Sequence, residues 1–227
     1  MRRASKVIIE SRQIAGFSTC RQELIVGGLR VPLLTVGQLE DYVDAGELLR
    51  NPDAPEPPYW AHLWPGSRVL ARLVATEIEC RNRRAIDIGC GVGLVGVVAA
   101  RRGAAVTVID TAPAALCFAR ANAARNGCEV AAIRTDVRRA GVRGSFDYCF
   151  AADVTYDPAL QGALADFLAA HLAAGGRAWC AESVRTFDHG FRRACEARGF
   201  EVTERTFQEP DDGRTVSVRL TAARRIR

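Results

Sequence analysis

Between Arg83 and Asp110 the chain reads RRAIDIGCGVGLVGVVAARRGAAVTVID, and two glycine patterns overlap in it. Gly91, Gly93 and Gly96 spell G-x-G-x-x-G, the strand-to-helix turn on which the pyrophosphate of a dinucleotide rests. Asp87, Gly89, Gly91 and Gly93 spell D-x-G-x-G-x-G, a turn that suits S-adenosylmethionine. Either ligand needs backbone to come close at this turn, which residues without a Cβ permit. Asp87 favours the second reading. A dinucleotide strand is apolar up to its glycines, whereas an acid at this point helps to hold a methionine moiety. S-adenosylmethionine carries no phosphate, so the loop need only make room.

Two further carboxylates end short strands downstream. Asp110 lies nineteen residues after Gly91 and has the geometry to accept both hydroxyls of a ribose, in either kind of fold. Its plainer role is to cap the helix that follows, for which Thr111 is also available. Asp136 closes AAIRTD, where an adenine amino group is the expected partner and a turn-forming Asp the plain alternative.

Elements to hold these residues follow from periodicity. RAIDIG, AVTVID, VAAIRTD, SFDYCFAADV and RAWCAES read as strands. They alternate with helices over LVGVVAARRG, APAALCFARANAARNG, PALQGALADFLAAHLAAGG and TFDHGFRRACEARG. Val69, Leu70, Leu73, Val74 and Ile78 set a further helix ahead of the first of these strands. Such alternation means an α/β sheet, mainly parallel, with helices on both faces. The chain then departs from it: FEVTERTF and TVSVRLTA are strands joined only by QEPDDGR, too short for a crossover, so this pair is antiparallel. A parallel sheet closed by an antiparallel hairpin is the order of a Rossmann-like, seven-stranded class I methyltransferase. Upstream, ELIVGGLRVPLLTV reads as a hairpin about Gly27 and Gly28, GQLEDYVDAGELL as a helix, and RNPDAPEPPYW as a proline-rich connection. Residues 1–56 are thus expected to form an N-terminal extension and residues 57–227 the cofactor-binding domain.

Composition narrows the class. The chain has 227 residues, 48% hydrophobic and 25% charged, with a net charge of +5. That is ordinary for a globular domain. No apolar run approaches the roughly 20 residues of a membrane span, and no signal-peptide core follows the basic start, so the expected location is the cytoplasm. The arginines are scattered without a basic, aromatic-laced stripe, which speaks against a nucleic-acid partner. Eight cysteines without a C-x-x-C pair, and three dispersed histidines, give no metal-ligand spacing.

Two segments resemble the seven-strand protein-lysine methyltransferase family: PPYWAHLWPG, Pro57 to Gly66, and ADVTYDPAL, which carries D-x-x-Y as Asp153 to Tyr156. The resemblance runs from about Pro57 to Leu160. It implies S-adenosylmethionine as cofactor and a lysine-bearing protein as substrate, with the β-subunit of electron-transfer flavoprotein the candidate. It further implies that Asp153 and Tyr156 are the catalytic pair. Asp153 would attract the lysine ammonium and orient the neutral amine, and Tyr156 would wall the channel around the aliphatic stem. Trp60 and Trp64 would shape the entry and cover the cofactor. Plainer roles stand beside these: Asp153 as a helix cap (for which Asp157 is better placed), and Tyr156, Trp60 and Trp64 as packing. Asn122 and Asn126 read as a helix-face polar residue and a helix end. D-V-T-Y replaces the N-P-P-Y of glutamine methyltransferases, and the lost amide argues against a glutamine substrate. The segment before Pro57 and the residues ESVRTFDHGF depart from the flavoprotein-type pattern. Small-molecule N-methylation of a pyridine or amine, a non-catalytic cofactor-binding module, and an NAD-dependent oxidoreductase remain alternatives.

Overall fold

A computed structural model describes residues 8–42, 50, 57–139, 141–155, 157–183 and 190–226, with residues 8–12 as backbone only. Seven strands form one sheet in the order β6-β5-β4-β7-β8-β10-β9. The first five in sequence are β4 (Arg84–Ile88), β5 (Ala105–Asp110), β6 (Ala131–Arg134), β7 (Phe146–Ala152) and β8 (Leu172–Ser183). They pair in parallel, β4 at the centre with Asp87 beside Val108 on one side and Phe150 on the other. β9 (Phe200–Asp211) and β10 (Arg214–Arg225) close the sheet as the expected antiparallel hairpin, with β10 antiparallel to β8.

Strand alternation sends successive side chains to opposite faces, and both faces are covered. Ala85, Phe150 and Ala181 join helices α1 (Pro65–Thr76), α2 (Leu94–Arg101) and α3 (Pro113–Arg125) in one core. Ile86, Cys149 and Cys180 join α4 (Pro158–His171) and α5 (Gly190–Glu196) in the other. Among the described residues no helix is long and apolar enough to cross a membrane.

Three boundaries differ from expectation, each for a physical reason. QEPDDGR is not a loop: β9 runs on to Asp211, and only Asp212 and Gly213, both at positive φ, make the turn. Pro210 is tolerated because β9 is the sheet's edge strand. Glu209 is drawn inward by the arginines of α1, accepting from Arg68 at 3.3 Å and Arg72 at 2.7 Å, while Arg68 also holds Asp211 at 2.9 Å. The second difference is at α4, which stops at His171 instead of continuing through Gly176, because Leu172 turns extended and enters the sheet opposite Phe146. The third is at the N-terminus. The predicted hairpin is present as β2 (Phe17–Val26) and β3 (Leu29–Val36), with Gly27 and Gly28 at positive φ in its two-residue turn. An unforeseen strand, β1 (Ile8–Ile14), pairs with β2 to make a separate three-stranded antiparallel sheet. Of the helix expected after it, a 3₁₀ turn at Leu39–Tyr42 is seen and residues 43–49 lie outside the described residues.

Apolar side chains of the small sheet pack against the helices, and a buried amide fixes its position. Asn122 of α3, fully buried, accepts from Leu34 N at 2.6 Å and donates to Leu34 O at 2.9 Å and to Val92 O at 2.8 Å. It pairs the edge of β3 as another strand would, and Asn126 extends the pairing to Pro32 O at 2.8 Å. Asn122 is therefore not a helix-face polar residue. Replacing it with alanine orphans three buried backbone groups, and about 3 kcal/mol of stability is expected to be lost. Urea unfolding of Asn122→Ala against the wild type measures it.

Candidate active site

A cavity of about 930 Å³ opens at the C-terminal ends of β4, β5 and β7, where ligands of α/β sheets bind. The glycine loop forms its floor. Gly89, Gly91 and Gly93 all have positive φ. A Cβ at Gly91 would lie 2.7 Å from the carbonyl of Trp60, and one at Gly93 would lie 2.8 Å from Ala119 of α3. The loop is bare so that the tryptophan segment and α3 can close on it.

Asp87 decides between the two glycine patterns. It is buried beneath the loop, and its Oδ2 accepts from Gly96 N, in the first turn of α2, at 2.8 Å. A helix N-terminus is where a dinucleotide pyrophosphate would sit. Here a carboxylate of the protein already occupies that pole and would repel a phosphate. Burial pushes the Asp87 carboxyl up to about 7, with the nearby Asp110 charge adding to the rise and the Gly96 N–H opposing it.

Asp110 closes β5 at the cavity wall, accepting from Gly91 N at 3.0 Å and Ala112 N at 2.9 Å. Burial raises its carboxyl above the usual range, and these two N–H groups pull against that rise. The capping role is not seen, since Ala112 precedes α3 and that helix has no side-chain cap, while the Asp110 carboxylate keeps lone pairs to offer a diol. Asp136 lines the rim, its carboxylate already gripped by Arg138 through Nε at 3.0 Å and Nη2 at 2.5 Å. That guanidinium holds Asp136 below the ordinary carboxylate range.

Asp153 follows β7 with φ at 53°, a conformation Asp and Asn tolerate better than other residues with a Cβ. Its own N–H donates to Ala181 O at 2.7 Å and its Oδ1 accepts from Ser183 N at 2.8 Å, which fixes the carboxylate beside the end of β8. A Cβ at Gly66, in the first turn of α1, would run into this carboxylate and into Ala181 O. The glycine of WPG is what lets a helix N-terminus approach Asp153 and favour its negative charge. The capping role falls to Asp157, whose Oδ1 accepts from Ala159 N at 2.9 Å. Trp64 lines the cavity with Nε1 donating to Tyr59 O at 2.9 Å and its ring edge-on to His62 at 4.6 Å. Tyr156 lies outside the described residues. The structure therefore brings Trp64, Asp87, Gly89, Gly91, Asp110, Asp136 and Asp153 around one space, with Gly93 closing the loop beneath it.

Glu182 was not foreseen. It lines the cavity at the end of β8, accepting from Thr155 Oγ1 and ion-paired to buried Arg219 at 3.4 Å. Its signal in the sequence was an acid at a strand's C-terminal end, the same signal that marks Asp110. Asp87, Asp110, Asp136, Asp153, Asp157 and Glu182 give the lining six carboxylates, and Arg138, the arginine among the described lining residues, is tied to Asp136. The field of such a cavity favours cationic ligands over phosphates.

Residues 59–180 match the model of the methyltransferase small domain family. The chain belongs to that family. Over 113 residues the methyltransferase is 32% identical to a zebrafish (Danio rerio) electron transfer flavoprotein beta subunit lysine methyltransferase, covering 49% of this chain and 44% of the relative. It is 31% identical over 175 residues to the bovine (Bos taurus) protein-lysine methyltransferase METTL21E, covering 70% of this chain and 59% of the relative. The chain thus spans about half the length of these relatives. The crystal structure of magnesium protoporphyrin IX methyltransferase from Synechocystis PCC 6803 with bound SAM shares the fold, with a TM-score of 0.57 at 22% identity over 69% of this chain and 76% of that one.

Proposed function

We propose that this methyltransferase uses S-adenosylmethionine to methylate lysine side chains of a protein. The observation that carries the reading is the acidic cavity in which the Asp87 carboxylate caps α2 and Asp153 stands fixed at the end of β7. The residues fit the cofactor. Asp110 offers carboxylate oxygens to the ribose hydroxyls, and Asp87 offers a negative charge to the cationic methionine end. Asp136 keeps second lone pairs for an adenine amino group, Gly89, Gly91 and Gly93 give the backbone room, and Trp64 helps to cover the ligand. A pocket of about 930 Å³ is at the upper end of the roughly 300–1,000 Å³ usual for small-molecule sites, which leaves space for an acceptor side chain.

When bound, S-adenosylmethionine supplies a sulfonium methyl open to in-line displacement. The protein's task is to deliver an amine with a free lone pair. A lysine ammonium has a reference pKa near 10.4, and leaving water lowers it. Asp153 attracts the ammonium at the mouth. Once the proton has passed to water, its carboxylate accepts an N–H of the neutral amine and turns the lone pair inward. The D-x-x-Y pattern gives Tyr156, which lies outside the described residues, the role of walling the aliphatic stem. The Trp60–Trp64 segment excludes water, so positioning in a dry site does most of the work. The zebrafish relative makes the electron-transfer flavoprotein β-subunit the first substrate to try, and the cytoplasm is the compartment this reading assigns.

Cofactor choice is tested by titration calorimetry. S-adenosylhomocysteine is expected to bind and NAD to give no heat. Asp110→Ala is expected to weaken S-adenosylhomocysteine about 10- to 100-fold, the worth of losing hydrogen bonds to a charged group. Binding of NAD with no response to S-adenosylhomocysteine would reverse the assignment.

A further inference from the structure

Phe17 opens β2 and Tyr42 ends the 3₁₀ turn after β3, so both belong to the N-terminal segment, yet both line the same cavity as the glycine loop. They are held as a unit. Phe17 meets Trp60 edge-on at 5.2 Å and Tyr42 at 4.8 Å. The Tyr42 hydroxyl accepts from Ser18 N at 2.9 Å and bonds Ser18 Oγ at 3.2 Å, and Ser18 Oγ donates to Gly37 O at 2.9 Å. Trp60 continues the cluster onto Phe118 of α3 at 5.4 Å.

The cluster has a definite side. The Trp60 carbonyl fills the space beside Gly91, and Phe118 lies on the helix that follows Asp110. The aromatic group therefore stands beside the glycine loop and α3, on the side of the cavity that Asp110 closes. Asn122 ties the arrangement together, since one buried amide bonds both Leu34 of the small sheet and Val92 of the glycine loop. Sheet and loop are thus set in one register by a shared side chain. Phe17 is only half-buried and Tyr42 is 36% exposed, so these rings still have apolar surface for a ligand to cover.

We propose that the N-terminal three-stranded sheet is a wall of the cofactor site, with Phe17 and Tyr42 extending the Trp60 aromatic face over the adenosyl half of S-adenosylmethionine. This rests on the cofactor reading above and adds residues that neither the glycine motif nor the tryptophan segment contains. Ligand binding buries the exposed ring surface, and the Asn122 bridge passes the resulting order to β2 and β3.

The test uses the full chain and S-adenosylhomocysteine as probe. Phe17→Ala is expected to raise its dissociation constant roughly tenfold and Tyr42→Ala several-fold, as the loss of aromatic contact predicts. The acceptor KM at saturating cofactor should stay unchanged. In the wild type, the ligand should slow amide hydrogen exchange across residues 17–36. Phe17→Leu keeps apolar volume without the ring, and gives the answer if Phe17→Ala melts early. Wild-type binding that neither Phe17→Leu nor Tyr42→Ala weakens would overturn the proposal, as would an effect confined to the acceptor KM. A wild type that does not bind S-adenosylhomocysteine would instead remove the cofactor reading, and this wall with it.

Discussion

Asp153→Asn is expected to lower methyl transfer about 100-fold or more while leaving S-adenosylhomocysteine affinity within about twofold. Asparagine is the informative substitution. It tolerates the left-handed backbone that Asp153 adopts, and its side-chain oxygen can still accept from Ser183 N, so fold and loop are retained. What it removes is the charge that draws an ammonium. Alanine would remove the Ser183 contact as well and strain the backbone, mixing structural loss with chemical loss. Steady-state kinetics beside calorimetry on the same preparation separates the two. Loss of ligand affinity along with rate would move Asp153 into the cofactor site. An unchanged rate would remove it from the chemistry.

The second large effect is a pair of opposed pH dependences centred on Asp87. Its carboxyl titrates at about 7 in the folded chain, against 3.8 as the ordinary value, because burial penalises the charge. Between those values the folded chain holds a proton that the unfolded chain has released. Stability therefore falls as pH rises from about 4 to about 7, by an amount on the order of a few kcal/mol. Asp87→Asn keeps an oxygen for Gly96 N and cannot ionise, so the difference between it and the wild type isolates this term. Thermal melts should show the variant gaining on the wild type as pH rises. Cofactor binding should run the other way. The ionised carboxylate attracts the cationic methionine end, so wild-type affinity should strengthen from pH 5 to 8, whereas Asp87→Asn binds weakly and with a flatter profile. Parallel slopes in wild type and variant would show that Asp87 is not the titrating group.

These residues were legible because their signals are local. The glycine loop, Asp110 and Asp153 each lie at a strand end, and strand periodicity places all three on one edge of the sheet before any tertiary contact is known. Asp157 could be separated from Asp153 as the cap by position alone. Contacts across long sequence separations were not legible. Asn122 looked like a helix-face residue because its partner Leu34 is 88 positions away. Glu209 and Pro210 looked like loop residues, since nothing local announced that Arg68 and Arg72, more than 130 positions earlier, would bury the carboxylate. Phe17 and Tyr42 carried no motif, and only the docking of the small sheet on α3 brings them to the cavity. Asp136 was legible as an acid closing AAIRTD but not as the partner of Arg138, two residues on, whose side-chain direction the sequence does not disclose.

The central claim, methyl transfer from S-adenosylmethionine to a protein lysine, is tested most directly by following the methyl group. Purified chain would be incubated with methyl-labelled S-adenosylmethionine and a protein extract from its host lacking the gene, with electron-transfer flavoprotein β-subunit as a separate candidate. The prediction is label on lysine of a discrete protein, lost when Asp153→Asn replaces the wild type. Label found only in the small-molecule fraction, or on a residue other than lysine, would contradict it.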